Sequence, residues 1–553
     1  MTPEPQTRKV ILIAIDGFGV AIPGAGNAIT PESAPTIHKL MVSYPHTLLG
    51  AAGESVGLPR GEDGNSETGH VNLGAGRIVY QYLARINMSI ADGTFFVNPA
   101  LVGAMEHAVV HNSALHLMGL VGSGGVHSNV EHLYALIRMA AKHKVNKLFV
   151  HVFTDGRDSP PNISRTYIAQ INEVMQREGI GRIASVMGRY FAMDRDRRWD
   201  RTAKAYLALV NGEGHLVKTA QEAIAMSYER GATDEFVEPS LVSENGQPIG
   251  KICDNDAVIF YNFRIDRPRQ LSRAFVLPSL DHGGREWGFD PYLEIYGGKQ
   301  SDTKQVETPL FNRGDKLKNL YFGIMTEYEK PLVDSGAKAA YPPEVIQMPL
   351  GRVLSENNMR QLRIAESEKE RFVTFYFNGR REVPFAGEER VIIQSPKVAT
   401  YDLKPEMATF EITKALIDRL EHDEYDFVFM NFAAPDMVAH TGNIEAAKKA
   451  VKAVDDCIGV IYKYILSHGW TMMITADHGN VEEMIDLQTG EIDTEHSIND
   501  VPFLVVSKEY AGRTQTLPKG VLGDVAVTVL KYLNIDVPNS MMGTNLLADV
   551  VRI

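Results

Sequence analysis

Several short apolar runs in this chain lead directly to a charged residue, and this pattern constrains the fold more than any other. Buried parallel strands look this way when their carboxyl ends line a functional site. Between such runs, apolar residues recur at spacings of three and four from Val451 to Ile465, which predicts a helix packed on a sheet. Three runs near the chain ends share one predicted sheet: residues 10–15 before Asp16, 427–432 before Asp436, and 471–475 before Asp477.

The middle of the chain repeats the pattern, but its runs lead mainly to arginine and histidine. These runs are 115–121 before His127, 148–153 before Arg157 and Asp158, 183–187 before Arg189, and 257–263 before Arg264. The simplest architecture is an α/β domain split in sequence, residues 1–80 and 318–553, with a second α/β domain, residues 81–317, inserted. Residues 278–320 have scattered charges with Gly and Pro, and we predict a loop-rich excursion without assignable chemistry.

Composition excludes several classes of partner. With 56 Lys and Arg against 69 Asp and Glu, the net charge of −13 disfavours binding to nucleic acid or to an anionic membrane. Two cysteines, Cys253 and Cys457, are too few for a disulfide framework. No run approaches the ~20 apolar residues of a membrane span, and the N-terminus lacks a signal-peptide pattern. The sequence therefore predicts a cytoplasmic globular protein that binds anions only through a local cluster.

The residues that follow the outer runs form a candidate metal centre. Carboxylate and imidazole side chains together suit Mn, Co or Zn better than a cation that takes oxygen ligands only. Their number favours two metal ions over one. Any single histidine of this set is as consistent with a loop or core role, but together the residues predict a site. The set contains Asp16, Asp436, His440, Asp477, His478 and His496.

The segment 61–70 (GEDGNSETGH) permits two interpretations. Asn65 and Ser66 are preferred residues at a helix N-terminus, so the segment is typical of a turn followed by a helix. Ser66 is equally a candidate nucleophile, because a helix N-terminus stabilises a phosphate and a metal ion lowers the pKa of a hydroxyl.

Arginines are concentrated in residues 182–201, which contain six arginines and only three aspartates. The planar guanidinium binds carboxylate and phosphate with two hydrogen bonds, so such a cluster fits a small, multiply charged anion. We expect Arg157, Arg189 and Arg264, each at a strand end, to bind the anion, with Arg267 and His127 nearby. A solvated surface is the simpler expectation for Arg197, Arg198 and Arg201.

Nine ordered segments over about residues 10–510 resemble cofactor-independent phosphoglycerate mutases. They are VILIAIDGFG (10–19), DGNSETGHVNLGAGRIVYQ (63–81), GGVHSN (124–129), TDGRDSPP (154–161), GRYFAMDRDRRWDR (188–201), NFRIDRPRQL (262–271), ESEKERFVTFYFNG (366–379), NFAAPDMVAHTGN (431–443) and TADHGNVEEM (475–484). The resemblance implies an alkaline-phosphatase-like α/β domain with an inserted α/β domain that closes over 3- or 2-phosphoglycerate. It also implies a monomer that needs no bisphosphoglycerate primer.

The resemblance also implies roles for individual residues. Ser66 would carry the phosphate, Asp158 would move protons of the glycerate hydroxyls, and Lys369 would assist the transfer. One divalent metal, manganese before cobalt or magnesium, would be held by Asp436, His440 and His496. The second would be held by Asp16, Ser66, Asp477 and His478. The substrate would be held by His127, Arg157, Asp158, Arg189, Arg195, Arg264, Arg267 and Lys369.

Departures from the family pattern are few. Ala439 stands where glycine is expected, Ser497 replaces threonine after His496, and Asn129 replaces a common histidine. The excursion at about residues 280–345 is longer than in compact members. Two other functions remain open: a metal-dependent phosphohydrolase or pentose-phosphate mutase, and a catalytically silent binding protein.

Overall fold

The computed structural model describes residues 8–280, 309–486 and 489–550. The chain divides into two compact units. Unit 1 comprises Met1–Gln81 and Glu344–Ile553, and unit 2 comprises Tyr82–Pro343. The expected split domain with an insertion is therefore present as two α/β units.

Unit 1 contains a mixed sheet whose central strands are apolar and fully buried. Val10–Ile15 pairs in parallel with Phe427–Phe432 on one side and with Thr471–Thr475 on the other, as the three apolar runs predict. The eight strands in the described part of unit 1 are, in spatial order, Glu388–Ile393, Gln361–Glu366, Phe427–Phe432, Val10–Ile15, Thr471–Thr475, Val501–Val506, His46–Gly50 and Gly520–Val521.

Helices cover this sheet with their apolar faces. The longest, Ile444–His468, buries Val451, Val454, Ile458, Ile461 and Ile465, the residues whose spacing predicted it. Asn443 caps its N-terminus by accepting a hydrogen bond from the Ala446 amide, and Gly469 ends it in the left-handed conformation. The other α-helices of the described part of unit 1 are Pro35–Met41, Ser66–Ala75, Leu350–Glu356, Thr409–His422, Ala434–Ala439 and Asp524–Tyr532.

Unit 2 contains a second sheet with a mostly parallel centre. Its strands in the described residues are, in spatial order, Lys338–Tyr341, Tyr321–Thr326, Ala257–Phe260, Ala114–Val121, Lys147–Thr154, Arg182–Gly188, Ser240–Glu244 and His215–Val217, with Gln247–Pro248 paired to Ser240–Glu244. Its α-helices there are Tyr82–Asp92, Pro99–Val110, Val130–Lys142, Ser164–Glu178, Arg189–Ala192, Trp199–Asn211, Ala220–Glu229, Pro268–Val276 and Lys330–Asp334.

The second boundary of the insertion differs from the prediction. The chain enters unit 2 one residue after the predicted position but leaves it after Pro343 instead of near residue 317. Tyr321–Thr326 pairs with Ala257–Phe260, and Lys338–Tyr341 adds the next parallel strand. Two strands of the inserted sheet thus come after the loop-rich segment, which the sequence interpretation took for the end of the domain.

The predicted excursion is only partly described, because residues 281–308 lie outside the described residues. Residues 309–320 contain no helix or strand, as expected. Among the residues that the structure describes, no helix is both long and apolar enough to cross a membrane.

Candidate active site

Three buried carboxylates meet at one edge of the sheet of unit 1. Asp16 directly follows its strand, Asp477 follows the neighbouring strand after one residue, and Asp436 lies in the helix Ala434–Ala439. Each of the three is at most 1% exposed. Because the carboxyl ends of parallel strands lie at the same sheet edge, residues more than 400 positions apart converge here.

Ser66 is the first residue of the helix Ser66–Ala75, but it does not cap that helix. The Asn65 side chain does so, by accepting a hydrogen bond from the Thr68 amide at 2.9 Å. The Ser66 hydroxyl instead lies 2.9 Å from His478 Nε2 and donates to Asp16 Oδ1 at 3.3 Å. The cap and the candidate nucleophile are therefore different residues; the turn followed by a helix is confirmed, and the role of Ser66 as nucleophile stays a prediction.

Lys369, to which the resemblance gives a role in substrate binding and transfer, contacts two of the three carboxylates and the candidate nucleophile. Its ammonium donates to Asp16 Oδ1 at 2.6 Å, to Asp436 Oδ2 at 2.9 Å and to Ser66 Oγ at 2.9 Å. Burial alone would lower the pKa of Lys369, but the facing carboxylates raise it above its ordinary value. Lys369 is therefore a fixed cation in contact with the candidate nucleophile.

The first candidate metal group unites Asp436, His440 and His496, as the resemblance implied. Asp436 Oδ1 lies 3.4 Å from Nε2 of each histidine, and the two Nε2 atoms are 3.2 Å apart. Burial opposes ionisation of Asp436, but Lys369 and His440 hold its pKa well below the usual range. Three ligand atoms thus converge on one point.

The second candidate metal group unites Asp16, Ser66, Asp477 and His478. His478 Nε2 lies 3.5 Å from Asp16 Oδ1 and 3.5 Å from Asp477 Oδ2, in addition to its contact with Ser66. Asp16, Asp477 and His478 are fully buried. Burial would lower the pKa of His478, but Asp477 and its neighbours raise it to about 10.

The orientation of the three histidines fits metal binding. Nδ1 of His440 lies 2.8 Å from the Thr494 carbonyl oxygen, and Nδ1 of His496 lies 2.8 Å from the Gly64 carbonyl oxygen. Nδ1 of His478 lies 3.2 Å from its neighbour's carbonyl oxygen. Because a carbonyl oxygen can only accept a hydrogen bond, each Nδ1 carries a proton, and each Nε2 faces the carboxylates, where loss of its own proton would free it to bind a metal.

Two further residues of this edge have no role in the sequence interpretation. Asn431 donates to Asp16 Oδ2 at 2.7 Å and lies 3.2 Å from His70 Nε2. His70 Nδ1 lies 3.2 Å from Asp477 Oδ2. The available signal was the position of His70, which is one helical turn after Ser66 and therefore on the same helix face.

The arginine cluster of unit 2 lies at the carboxyl ends of its parallel strands. Arg189 directly follows the strand Arg182–Gly188, is 2% exposed, and donates to Asp155 Oδ1 at 2.6 Å. The same guanidinium group contacts Asp158 Oδ2. This pair of carboxylates holds Arg189 in place beside the candidate proton-transfer residue.

A second carboxylate, Asp266, organises the other side of the cluster. Arg195 donates to Asp266 Oδ2 at 2.7 Å, while Arg264 Nε lies 3.4 Å and His127 Nδ1 lies 3.6 Å from Asp266 Oδ1. Nε2 of His127 also lies 3.6 Å from Asp158 Oδ2. Burial, reinforced by arginines of the cluster, lowers the pKa of His127 to about 3, so its imidazole is neutral.

Arg267 differs from its neighbours. Its guanidinium donates to the Met193 carbonyl at 3.2 Å, and within the described part of the chain no carboxylate forms an ion pair with it. Burial and repulsion from nearby arginines lower the pKa of Arg267 to about 10. A half-buried guanidinium that has no carboxylate partner among the described residues favours an incoming anion.

The remaining arginines behave as their positions suggest. Arg157 is 56% exposed, and its Nη1 lies 3.9 Å from Glu235 Oε1. Arg198 pairs with Asp196 at 3.0 Å. Arg201 stacks on the Tyr190 ring, 3.7 Å from its centroid. Arg198 and Arg201 are thus engaged outside the cluster, as expected.

Two family models match the chain in the two units. The model of the BPG-independent PGAM N-terminus covers residues 86–330, and that of type I phosphodiesterase / nucleotide pyrophosphatase covers residues 356–519. The first match falls within unit 2 and the second within unit 1.

Curated relatives match almost the entire chain. A 2,3-bisphosphoglycerate-independent phosphoglycerate mutase of Moorella thermoacetica is 48% identical over 540 residues, 98% of each chain. The enzyme of the same name from Chloroflexus aggregans is 47% identical over 545 residues, which cover 98% of this chain and 99% of the relative. The crystal structure of Leishmania mexicana phosphoglycerate mutase at low cobalt concentration matches with a TM-score of 0.59 and 27% identity, covering 98% of both chains.

Proposed function

Because the chain belongs to the 2,3-bisphosphoglycerate-independent phosphoglycerate mutases and interconverts 3-phosphoglycerate and 2-phosphoglycerate, we propose that Ser66 carries the phosphate between the two hydroxyls. The arginine cluster of unit 2 retains the glycerate meanwhile. One observation carries the proposal: the Ser66 hydroxyl lies 2.9 Å from both Lys369 Nζ and His478 Nε2. The Lys369 ammonium donates to the serine oxygen and so stabilises the negative charge that develops there when the hydroxyl loses its proton.

The first half-reaction transfers the phosphoryl group to the protein. Ser66 gives up its hydroxyl proton to solvent, and its Oγ attacks the phosphorus in line. The bond from phosphorus to the glycerate oxygen breaks, and Asp158, which carries a proton at this stage, delivers it to that oxygen. The ammonium of Lys369 stabilises negative charge on the transferring group, because its three hydrogen-bond partners hold it in place. The products are phosphoserine and bound glycerate.

The second half-reaction reverses these steps at the other hydroxyl. Asp158, now a carboxylate, removes the proton of that hydroxyl, whose oxygen attacks the phosphorus of phosphoserine 66. The bond from phosphorus to Ser66 Oγ breaks, and the serine oxygen regains a proton from solvent. The arginines must hold glycerate and exclude water throughout, because water would otherwise take the phosphate. Arg267, a half-buried guanidinium with no carboxylate partner among the described residues, is best suited to bind the anionic substrate. It would act together with His127, Arg157, Arg189, Arg195 and Arg264.

Two divalent cations fit the residues of unit 1. Asp436, His440 and His496 would hold one, and Asp16, Ser66, Asp477 and His478 the other, since each histidine directs Nε2 toward the carboxylates. The mixture of nitrogen and oxygen donors suits Mn²⁺, with Co²⁺ or Mg²⁺ as alternatives. When bound, such cations supply Lewis-acid stabilisation of the serine oxygen and of the phosphoryl oxygens.

The proposal extends to the state of the enzyme in the cell. One chain carries both the nucleophile group and the arginine cluster, so a monomer suffices. Glycolysis supplies the substrate, which favours a cytoplasmic location.

A phosphorus NMR time course tests the proposal. Chelator-stripped protein is reloaded with Mn²⁺ and given 3-phosphoglycerate without bisphosphoglycerate. We expect the 2-phosphoglycerate resonance to grow without inorganic phosphate. Inorganic phosphate as the main product would contradict retention of glycerate by the arginine cluster.

A further inference from the structure

Glu482 is a buried carboxylate that the mechanism does not use. It is 2% exposed, and its two oxygens accept four hydrogen bonds. Oε2 accepts from the amides of Gly19 and Asn480, each at 2.9 Å. Oε1 accepts from the Ser497 hydroxyl and, at 3.1 Å, from Asn499 Nδ2. No cation among the described residues forms an ion pair with it, so all its partners are neutral donors.

The four donors come from three separate segments, and each segment carries candidate metal ligands. Gly19 lies three residues after Asp16, and Asn480 lies two residues after His478. Ser497 directly follows His496. One side chain therefore joins the loops that present ligands of both metal groups.

Asn480 extends this connection to the remaining carboxylate. While its amide donates to Glu482, its side-chain nitrogen donates to Asp436 Oδ1 at 2.9 Å. That oxygen is the one that faces the two histidines of the first metal group. Glu482 thus acts on Asp436 through one intervening residue.

The backbone around Glu482 is shaped to admit its carboxyl group. A Cβ atom at Gly19 would lie 2.3 Å from the Glu482 carboxyl carbon, and one at Gly479 would lie 2.4 Å from Oε1. Both distances are far shorter than any allowed contact. The two loops therefore approach the carboxylate closely only because glycine occupies these positions.

The two metal groups depend on this connection to different degrees. Asp16 and Asp477 lie at strand ends and are fully buried. Asp16 also accepts hydrogen bonds from Lys369 and Asn431, and Asp477 contacts His70. The side chains of His440 and His496, by contrast, are 39% and 20% exposed and lie outside strands and helices.

The His496 segment contacts several elements besides Glu482. The His496 ring stacks on the His478 ring with centroids 3.9 Å apart, and the Ser497 amide donates to the Gly479 carbonyl at 3.0 Å. Nδ1 of His496 lies 2.8 Å from the Gly64 carbonyl oxygen, and the following residue forms an isolated bridge with Gly479. The two hydrogen bonds to Glu482 Oε1 anchor the residues directly after it.

We propose that Glu482 is a positioning residue that sets the affinity of the metal group formed by Asp436, His440 and His496. The inference rests on the two-metal function proposed above. Residues that orient metal ligands typically contribute 10–100-fold to metal affinity. Glu482 acts on the more exposed group because His496 and Asp436 are the ligands that its hydrogen bonds hold.

Calorimetric titration of chelator-stripped protein with Mn²⁺ tests the inference. We expect the wild type to bind two Mn²⁺ per chain and Glu482→Gln to bind one of them about 10–100-fold more weakly, because an amide cannot accept all four hydrogen bonds. Glu421→Gln is the control, since it removes the same charge at an exposed position of the helix Thr409–His422, outside both metal groups. Its two affinities should equal those of the wild type.

A second variant covers the case in which Glu482→Gln does not fold. Ser497→Ala removes a single donor and should weaken the same binding step about threefold to tenfold. Thermal unfolding in chelator separates positioning from general stabilisation. A positioning role leaves the metal-free melting temperature of Ser497→Ala close to that of the wild type and reduces the increase that Mn²⁺ produces.

Excess Mn²⁺ provides a further discrimination, because it should restore turnover of a variant that is deficient only in metal affinity. Unchanged Mn²⁺ affinities in Glu482→Gln, or in Ser497→Ala if the former is unfolded, would overturn the inference and leave the two-metal function intact. A wild type that binds fewer than two Mn²⁺ would overturn both.

Discussion

The two units present opposite charge at the same kind of place. In each, functional side chains lie at the carboxyl ends of parallel strands. In unit 1, three buried aspartates surround one lysine; in unit 2, arginines surround Asp155, Asp158 and Asp266. The sheet edge therefore determines where a site forms, and the residue types there determine whether it attracts cations or anions.

The buried histidines show the same contrast. Asp477 and its neighbours raise the pKa of His478 to about 10 despite burial. In unit 2, burial lowers the pKa of His127 and of His132 to about 3. The carboxylates around His478 thus outweigh its burial and favour the protonated ring, whereas for His127, which lies near arginines as well as carboxylates, and for His132, burial prevails and the ring is neutral.

The largest expected effect is at the nucleophile. Ser66→Ala should lower kcat on the order of 10⁴-fold or more, because no other hydroxyl accepts the phosphate. Mn²⁺ binding, measured by calorimetry, should largely survive, since the carboxylates and imidazoles remain. Ser507→Ala is the control, because Ser507 is a buried serine outside the site. A fully active Ser66→Ala enzyme would remove the phosphoserine step.

Replacement of Lys369 should reveal the negative charge of the unit 1 site as a metal-dependent loss of stability. Lys369→Met leaves the carboxylates of unit 1 without their central cation, so the free energy of unfolding in chelator should fall by about 3–5 kcal/mol. Mn²⁺ should restore much of this loss, because it neutralises the same carboxylates. Denaturant unfolding with and without Mn²⁺ measures both values. Lys452→Met, at an exposed pair with Asp456, is the control; an equal loss under both conditions for Lys369→Met would contradict this prediction.

In unit 2, the expected effect is on substrate binding. Arg267→Ala should raise KM for 3-phosphoglycerate about 10²-fold, because it removes the guanidinium that lacks a carboxylate partner. Mn²⁺ affinity should not change. Arg198→Ala, which loses ion pairs with Asp194 and Asp196, is the matched control in steady-state assays. Equal losses of substrate and Mn²⁺ affinity would indicate a structural role for Arg267.

The smallest expected effect is on the pH dependence of the free energy of unfolding. His132 keeps a neutral ring in the folded state, with Nε2 2.9 Å from Asn87 Oδ1, whereas the unfolded chain takes up a proton near pH 6.5. Stability therefore falls as pH falls below about 6.5, by about 2 kcal/mol for this group between pH 7 and pH 5. Between pH 7 and pH 5, the free energy of unfolding of His132→Gln should fall by about 2 kcal/mol less than that of the wild type. Denaturant titrations at the two pH values measure this difference. Identical pH dependence of both proteins would contradict the prediction.

Local sequence patterns predicted the apolar central strands of both sheets, but not the strands toward their edges. The runs 10–15, 427–432 and 471–475 are strands with those same ends. Buried parallel strands are recognisable because both faces are covered and their residues are therefore continuously apolar. The strand bearing Arg363 and Glu366 lacks this signal, and accordingly only the resemblance pointed to Lys369 after it.

The second boundary of unit 2 and the role of Glu482 could not be predicted from local sequence patterns. The second boundary of unit 2 was misplaced because a loop-rich segment separates two strands from the sheet that they join. Glu482 has polar neighbours and no distinctive spacing, and its role depends on donors up to 463 positions away. Such roles arise only when the folded loops meet.

Rapid acid quenching followed by mass spectrometry of the peptide containing Ser66 tests the central claim most directly. The Mn²⁺-loaded protein is mixed with 3-phosphoglycerate and stopped within milliseconds. We predict phosphate on Ser66 before the steady state is reached, and none on the corresponding peptide of Ser66→Ala. Formation of 2-phosphoglycerate at full rate with no phosphate on Ser66 at any time would contradict the account.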